Sequence, residues 1–187
     1  MTQTPDNESQ KSYEAIIALG SNLGDRVGYF ERALRLLFND GNTILIGCSQ
    51  WYQTQPVGGP DNQGIYLNGT IAIKTRLSAE TLLDLLLNIE LTLGRKREVE
   101  NGPRTIDLDL ILFENVEIKT ESLQLPHPRF EERNFVLCPL RDLLKSASLK
   151  SDYWTPFKDL YKDYTSDEGI DASLSPSLFF LKTCITS

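Results

Sequence analysis

The order in which strand-like and helix-like apolar segments follow one another constrains this fold more than any other feature of the sequence. Runs rich in β-branched and aromatic residues predict strands, and apolar residues three and four apart predict helices. These patterns predict strands over 14–19, 43–54, 66–75 and 107–113. The order β-α-β-β-α-β, with the middle strands adjacent, is that of a ferredoxin-like α+β sandwich, with two helices on one face of an antiparallel sheet.

Local signals place the ends of the two predicted helices. Asp25 and Ser78 precede the helical patterns, and both residue types accept hydrogen bonds from the first free backbone amides of a helix. Gly94 follows the second pattern and suits a helix end. The alternation and apolar run over 107–113 predict a central strand near a sheet end.

Composition limits the domain count and the range of partners. A chain of 187 residues with 40% hydrophobic content suits one catalytic domain with an appendage. The formal net charge of −7 argues against nucleic acid or an anionic membrane as a partner, because both require a dense basic surface. The start of the chain does not have the pattern of a secretory signal, and no run approaches membrane-spanning length, so a cytoplasmic location is expected.

The cysteine and histidine counts restrict the type of metal site. The three cysteines, Cys48, Cys138 and Cys184, are widely spaced and are expected to be reduced thiols. His127 is the only histidine, so a metal bound by this chain should have oxygen ligands.

Asp107 and Asp109 form the sharpest local pattern in the chain. Residues two apart in a strand point to the same face, so these carboxylates would lie side by side. Such a pair suits Mg²⁺, which takes a few carboxylates together with phosphate and water oxygens. An isolated Asp-x-Asp pattern is more often the solvated face of an amphipathic strand.

The basic residues around this pair favour a magnesium-phosphate site. Guanidinium groups match the geometry of phosphate oxygens, although cations beside carboxylates can also be ordinary surface ion pairs. No G-x-x-x-x-G-K-[ST] motif is present, which argues against a P-loop fold. The basic residues before and after the pair are Arg95, Lys96, Arg97, Arg104, Arg129 and Arg133.

Several stretches together resemble one enzyme family, in order and spacing, over residues 13–144. They are ALGSNLGD (18–25), YQTQPVG (52–58), YLN (66–68), IE (89–90), GR (94–95), GPRTIDLD (102–109), PHPR (126–129), RNFVL (133–137) and PL (139–140). The family is 6-hydroxymethyl-7,8-dihydropterin pyrophosphokinase. We therefore expect a polar extension over 1–12, a pyrophosphokinase domain over 13–144, and a C-terminal extension of unknown role over 145–187.

The resemblance implies roles for individual residues in an ATP site. Asp107 and Asp109 would hold two Mg²⁺ ions that bridge the ATP phosphates. The arginines that would grip the triphosphate are Arg95, Arg97 and Arg104. The remaining residues implied for the ATP site are Glu90, Leu110, Gln124, His127 and Arg133. A solvated helix charge would also explain Glu90, and a lone histidine such as His127 is more often structural.

The resemblance also implies a pterin site in which the ring lies between Tyr66 and Phe135, near Val57. Thr54 and Asn68 would bond the polar edge of the ring. Aromatic side chains hold a flat heterocycle well, and a few hydrogen bonds fix its orientation. Without the resemblance, Tyr66 and Phe135 would be interpreted as residues of the hydrophobic core. Thr54 and Asn68 would be interpreted as side chains that hydrogen-bond to the backbone of a turn.

The implied reaction is the direct attack of the pterin hydroxymethyl oxygen on the β-phosphorus of ATP, which expels AMP. Loops 55–65 and 94–103 contain the glycines, prolines and charges of lids that could close over the substrates. Two other functions stay open: a magnesium-dependent nucleotidyltransferase that releases pyrophosphate, and a non-catalytic ferredoxin-like ligand-binding module. The expected partners are the pterin and ATP, and the chain is expected to be a monomer.

Overall fold

The structure, a computed structural model, describes residues 11–96, 102–166 and 168–176. The strands are β1 (Tyr13–Ser21), β2 (Thr43–Cys48), β3 (Trp51–Thr54), β4 (Tyr66–Thr75), β5 (Asp107–Phe113), β6 (Ile118–Lys119), β7 (Gln124–Leu125) and β8 (Ile170–Leu174). The helices are α1 (Arg26–Leu37), α2 (Ala79–Thr92), α3 (Asn134–Ser146) and α4 (Thr155–Tyr161), with short 3-10 turns at Phe130–Glu132 and Asp152–Trp154.

The main sheet confirms the ferredoxin-like arrangement. Within the described residues its order is β5-β1-β4-β3-β8, and β2 also pairs with β4. Every pairing is antiparallel. Strands β6 and β7 form a separate small hairpin.

The helix ends agree with the local signals in the sequence. The Asp25 side chain accepts a hydrogen bond from the Gly28 amide at the start of α1, and Ser78 accepts one from Thr81 at the start of α2. Gly94 follows α2 with φ +79°, a left-handed conformation that favours glycine.

Both faces of the sheet are covered, so the molecule has three layers. Alternate residues of β1 contribute to two apolar cores: Ala15, Ile17 and Leu19 face α1 and α2, while Ile16 faces α3. This explains why β1 is continuously apolar, since a strand buried on both sides has no solvent-facing positions. The two helices predicted for one face are α1 and α2.

The predicted strand over 43–54 is two strands in the structure. The break falls at Ser49 and Gln50, where the Ser49 side chain accepts a hydrogen bond from the Thr70 amide and donates one to the Gln50 carbonyl. A hydroxyl that bonds to backbone in this way competes with the regular ladder. Both halves still pair with β4, as expected for adjacent strands.

The prediction that 107–113 is a central strand was wrong, because β5 lies at the end of the sheet order. Its residues are nevertheless mostly buried. The segment that follows the β6–β7 hairpin covers part of the edge, since the His127 amide donates to the Ile111 carbonyl at 2.9 Å. An edge strand that is covered in this way can be as apolar as a central one.

The described part of the C-terminal extension completes the second core and the sheet. Trp154 is fully buried, and Leu149 and Tyr161 pack in the same cluster beside α3. β8 pairs with β3 from Trp51–Leu174 to Thr54–Ile170. The division at residue 144 stays a prediction.

Close packing of α3 on the sheet depends on one glycine. A Cβ built on Gly47 in β2 would lie 2.5 Å from the Ala147 Cβ and 3.1 Å from the Leu143 Cδ1. None of the helices in the described part of the chain is both long and apolar enough to cross a membrane.

Candidate active site

A cavity of about 300 Å³ opens at one end of the main sheet. Because neighbouring strands are antiparallel, the last residues of β1 and β3 lie beside the first residues of β4 and β5, and Gly20 is paired with both Asn68 and Asp107. The start of α3 forms another wall. The lining residues include Gly20, Thr54, Val57, Tyr66, Asn68, Arg104, Asp107, Asp109, Arg129, Glu132, Arg133 and Phe135.

Asp107 and Asp109 both line the cavity, as the strand periodicity predicts. The intervening Leu108 and the following Leu110 point the other way, into the core under α1 and α2. The apolar side chains therefore fix the register of β5 and hold both carboxylates on the cavity side.

Asp107 belongs to a cluster of alternating charges. The Arg95 guanidinium donates hydrogen bonds to Glu90 Oε1 and Asp107 Oδ1, and Arg104 donates to Asp107 Oδ2. Glu90 is buried, and its Oε1 also accepts a hydrogen bond of 2.7 Å from the Leu108 amide. The cluster thus links the end of α2 to the start of β5 and holds the Arg104 guanidinium at the cavity.

Asp109 has a different electrostatic environment. Burial and the neighbouring carboxylates of Asp107 and Glu90 together raise the pKa of Asp109 to about 7, against the opposing effect of Arg133 and Arg95. No hydrogen bond or ion pair to its side chain occurs within the residues that the structure describes. A carboxylate held against like charges is stabilised by a bound cation.

The donor set fits a hard cation only if other oxygens complete its coordination. Among the described residues, no three His, Cys, Asp or Glu side chains group as a metal site. Two cavity carboxylates, with phosphate and water oxygens as the remaining ligands, match the preference of Mg²⁺.

The opposite side of the cavity is suited to a flat polar ring. Asn68 and Thr54 are buried and joined by a hydrogen bond of 2.7 Å from Asn68 Nδ2 to Thr54 Oγ1. The rings of Tyr66 and Phe135 and the exposed Val57 border the same space. All five residues expected to bind the pterin therefore line one cavity with the two aspartates.

Gly20 permits this arrangement. A Cβ at this position would lie 3.1 Å from Asn68 Oδ1, so a larger residue would crowd the amide that faces the cavity. The guanidinium groups approach the rings as well, with Arg104 5.9 Å from the Tyr66 centroid and Arg133 5.7 Å from the Phe135 centroid.

Asn22 is a positioning residue to which the sequence patterns assigned no role. Its backbone amide and Oδ1 both bond to the Arg104 backbone, at 3.1 and 2.8 Å. Its Nδ2 donates to Gln63 Oε1 and to the Gly64 carbonyl, each at 3.3 Å. Gln63 Oε1 also accepts from the Tyr66 hydroxyl at 3.2 Å. Asn22 therefore connects the segment before β5 with loop 55–65, and its place in the turn-forming stretch ALGSNLGD (18–25) was the signal that the sequence offered.

Some residues expected in the ATP site do not line this cavity. The Leu110 side chain is buried in the α1–α2 core, and Gln124 is exposed in β7. His127 is not a lining residue, and its Nδ1 accepts a hydrogen bond of 3.2 Å from the Arg129 amide. Burial and the nearby Arg133 lower the pKa of His127. Glu90 and Arg95 are not among the lining residues either, although both belong to the charge cluster of Asp107. The roles of these five residues in nucleotide binding stay predictions, and Arg97 lies outside the described residues.

Comparison with known proteins assigns a family to this arrangement. The family described as 7,8-dihydro-6-hydroxymethylpterin-pyrophosphokinase matches residues 16–145. A 2-amino-4-hydroxy-6-hydroxymethyldihydropteridine pyrophosphokinase of Bacillus subtilis is 41% identical over 157 residues, which is 84% of this chain and 93% of that protein. A mitochondrial folate synthesis bifunctional protein of Arabidopsis thaliana is 40% identical over 78% of this chain.

Similarity to solved structures agrees with the fold. The crystal structure of Plasmodium falciparum HPPK-DHPS superposes with a TM-score of 0.57 at 17% identity and covers 84% of this chain. This chain spans only 45% of that protein and 26% of the Arabidopsis one, so the match is with one part of each.

Proposed function

The chain belongs to the 7,8-dihydro-6-hydroxymethylpterin-pyrophosphokinase family, and from that membership we propose that it transfers pyrophosphate from ATP to 6-hydroxymethyl-7,8-dihydropterin in folate synthesis. The products are AMP and the dihydropterin diphosphate. The observation that carries this proposal is the single cavity in which a carboxylate pair and arginines lie beside a hydrogen-bonded Thr54–Asn68 pair and two aromatic rings.

The aromatic end of the cavity supports binding of the pterin. Tyr66 and Phe135 would contact the two faces of the ring, and Thr54 and Asn68 would bond its polar edge. Because Thr54 and Asn68 are buried, they should make binding selective. A ligand that leaves their donors and acceptors unpaired would bind with lower affinity.

The charged end supports binding of the triphosphate. Asp107 is paired with both Arg95 and Arg104, and Arg104 lines the cavity, so we expect this cluster to be positioned for phosphate before any nucleotide binds. Arg133 adds a third positive group on the α3 side. Arg97 is proposed to join them on the evidence of the sequence resemblance alone.

We propose Asp107 and Asp109 as the residues that hold magnesium. Two Mg²⁺ ions there would neutralise the phosphate oxygens and stabilise the charge that develops during transfer. Asp107 is paired with two guanidinium groups in this structure, and incoming phosphates would offer those groups an alternative partner while a metal binds the carboxylate.

Positioning and charge neutralisation supply most of the catalysis in such a reaction. The pterin hydroxymethyl oxygen forms a bond to the β-phosphorus, and the bond from that phosphorus to the bridging oxygen of AMP breaks. The hydroxyl proton leaves to solvent. The cytoplasmic location and the monomeric state expected from the sequence stay predictions.

The test is to incubate the protein with ATP, magnesium and 6-hydroxymethyl-7,8-dihydropterin and to identify the nucleotide product by chromatography. We expect AMP in equal amount to the dihydropterin diphosphate. Release of pyrophosphate instead of AMP would indicate a nucleotidyltransferase, and absence of turnover would contradict the proposal.

A pair of variants separates loss of chemistry from loss of fold. Asp109→Asn should reduce AMP formation by at least about 1000-fold, because it removes a metal ligand at nearly constant volume. Asp84→Asn is the matched control, since Asp84 lies on the exposed face of α2 and should leave turnover unchanged.

A further inference from the structure

A short segment of the C-terminal extension crosses from α3 to β3. We refer to residues 164–166 and 168–170 as the strap. At its first end the strap contacts α3, which carries Phe135, and at its second end it contacts the junction of β3 and loop 55–65. The strap therefore contacts Asn134, the neighbour of Phe135, at one end and Thr54 at the other, and both Phe135 and Thr54 line the cavity.

Asn134 is the main contact at the first end. It is the first residue of α3 and follows the N-cap Arg133. Its Nδ2 donates to Ser166 Oγ at 3.1 Å and to the Glu168 carbonyl at 3.4 Å, and its Oδ1 accepts from the Tyr164 hydroxyl. All the hydrogen-bonding groups seen on this side chain are thus directed to the strap.

Two further residues on the same face of α3 continue the contact. Cys138 Sγ donates to the Ser166 carbonyl at 2.9 Å, and Arg141 Nη1 donates to the Tyr164 carbonyl at 3.1 Å. Positions 134, 138 and 141 follow helical spacing, so they form one continuous row along α3.

The second end is held by backbone hydrogen bonds. The Gln55 amide donates to the Gly169 carbonyl at 3.1 Å, and Thr54 is paired with Ile170. Thr54 is paired on its other side with Tyr66. Gly169 has φ +77°, which allows the chain to turn into β8 at this point.

A continuous set of contacts therefore joins the two rings of the cavity. It runs from Phe135 through its neighbour Asn134 to the strap, and then through Thr54 to Tyr66. We propose that the strap, with Asn134 as the positioning residue, sets the separation of the two rings and so the affinity for the pterin. This inference rests on the proposed function of the cavity.

The test compares pterin binding with nucleotide binding. Asn134→Ala and Tyr164→Phe should each raise the dissociation constant for 6-hydroxymethyl-7,8-dihydropterin about 3- to 10-fold, measured by calorimetry in the presence of a non-hydrolysable ATP analogue. The dissociation constant for the analogue should change less than about twofold, since Arg95 and Arg104 are anchored by Asp107 in β5 and only Arg133 lies beside Asn134. The double variant should bind the pterin no more weakly than Asn134→Ala alone, because that change already removes the contact with the Tyr164 hydroxyl.

Trp154→Phe is the control for a purely structural role. It removes another hydrogen bond of the C-terminal extension, from Trp154 to Glu14, at the opposite end of β1 from Gly20. It should lower the melting temperature and leave pterin affinity unchanged.

The outcomes distinguish the inference from its premise. If Asn134→Ala lowers the melting temperature but leaves pterin affinity at the parent value, the strap only stabilises the fold and the inference is wrong. An equal loss of affinity for pterin and nucleotide would overturn it as well. If the unaltered protein binds no dihydropterin, the proposed function itself fails.

Discussion

Trp154 donates a hydrogen bond of 2.6 Å from its indole nitrogen to Glu14 Oε2, across 140 residues of sequence. The Glu14 carboxylate also accepts hydrogen bonds from the Lys150 and Ser151 amides. Glu14 is 7% exposed and Trp154 is fully buried. One acidic side chain in the first strand thus satisfies three donors of the C-terminal extension and fixes that extension to the sheet.

Replacing Glu14 should therefore weaken the whole fold. We expect Glu14→Ala to lower the free energy of unfolding by about 2–3 kcal/mol, because it leaves buried donors without a partner. Urea denaturation followed by tryptophan fluorescence would measure the loss. Glu121→Ala, at an exposed position, is the control and should change stability by less than about 0.5 kcal/mol.

The two cavity aspartates should affect stability in opposite directions in metal-free protein. Asp107 is paired with two arginines, so Asp107→Asn should destabilise the fold. Burial and the carboxylates of Asp107 and Glu90 disfavour the charged form of Asp109, so Asp109→Asn should stabilise the fold at pH 8. We expect a gain of about 1–2 kcal/mol, because solvent at the cavity screens part of the effect.

The stabilising effect of Asp109→Asn should depend on pH. The pKa of Asp109 is raised from 3.8 to about 7 in the folded protein, so between these values the folded state binds a proton that the unfolded state has lost. The destabilisation by Asp109 therefore develops as pH rises from about 4 to 7 and is constant above that range. The free energy of unfolding should be measured in the presence of a chelator. Asp109→Asn should raise it only slightly at pH 4.5 and by the full amount at pH 8. An equal increase at both pH values would contradict a raised pKa for Asp109.

Removal of one aromatic ring from the cavity should weaken binding of the pterin and leave binding of ATP unchanged. Phe135→Ala should raise the KM for the pterin about 10- to 100-fold, the range expected when one stacking contact with a heterocycle is lost. The KM for ATP should change little in steady-state kinetics. Tyr66→Phe is the milder comparison because it keeps the ring and removes only the hydroxyl contacts to Gln63 and Gly102.

Asn22→Ala should impair turnover without removing any group that contacts substrate. The variant frees the Arg104 backbone and loop 55–65 from each other, so we expect kcat to fall about 10- to 100-fold. Asn39→Ala, at an exposed position after α1, is the control. If Asn22→Ala turns over as fast as the parent, the connection that it makes has no role in catalysis.

Features that depend on local chemistry could be predicted from the sequence. The caps Asp25 and Ser78 and the terminating Gly94 bond to or shape backbone within a few residues, so their types identify them. The shared face of Asp107 and Asp109 follows in the same way from the strand period.

Features that depend on distant segments could not be predicted. The pairing of β8 with β3, the covered edge position of β5 and the contacts of Asn134 join residues far apart in sequence, and no periodicity encodes them. The break at Ser49 was missed because its cause is a side-chain bond to Thr70 in another strand. The assignment of Phe135 to the cavity came from the family resemblance, since its apolar type alone indicates core.

The pairing of β3 with β8 has a consequence for how the chain reaches its native state. Until residues 170–174 pair with β3, the outer amides and carbonyls of Trp51–Thr54 can hydrogen-bond to any extended peptide. Pairing between segments this distant in sequence forms slowly. We therefore expect refolding from denaturant to lose yield through intermolecular aggregation as protein concentration rises.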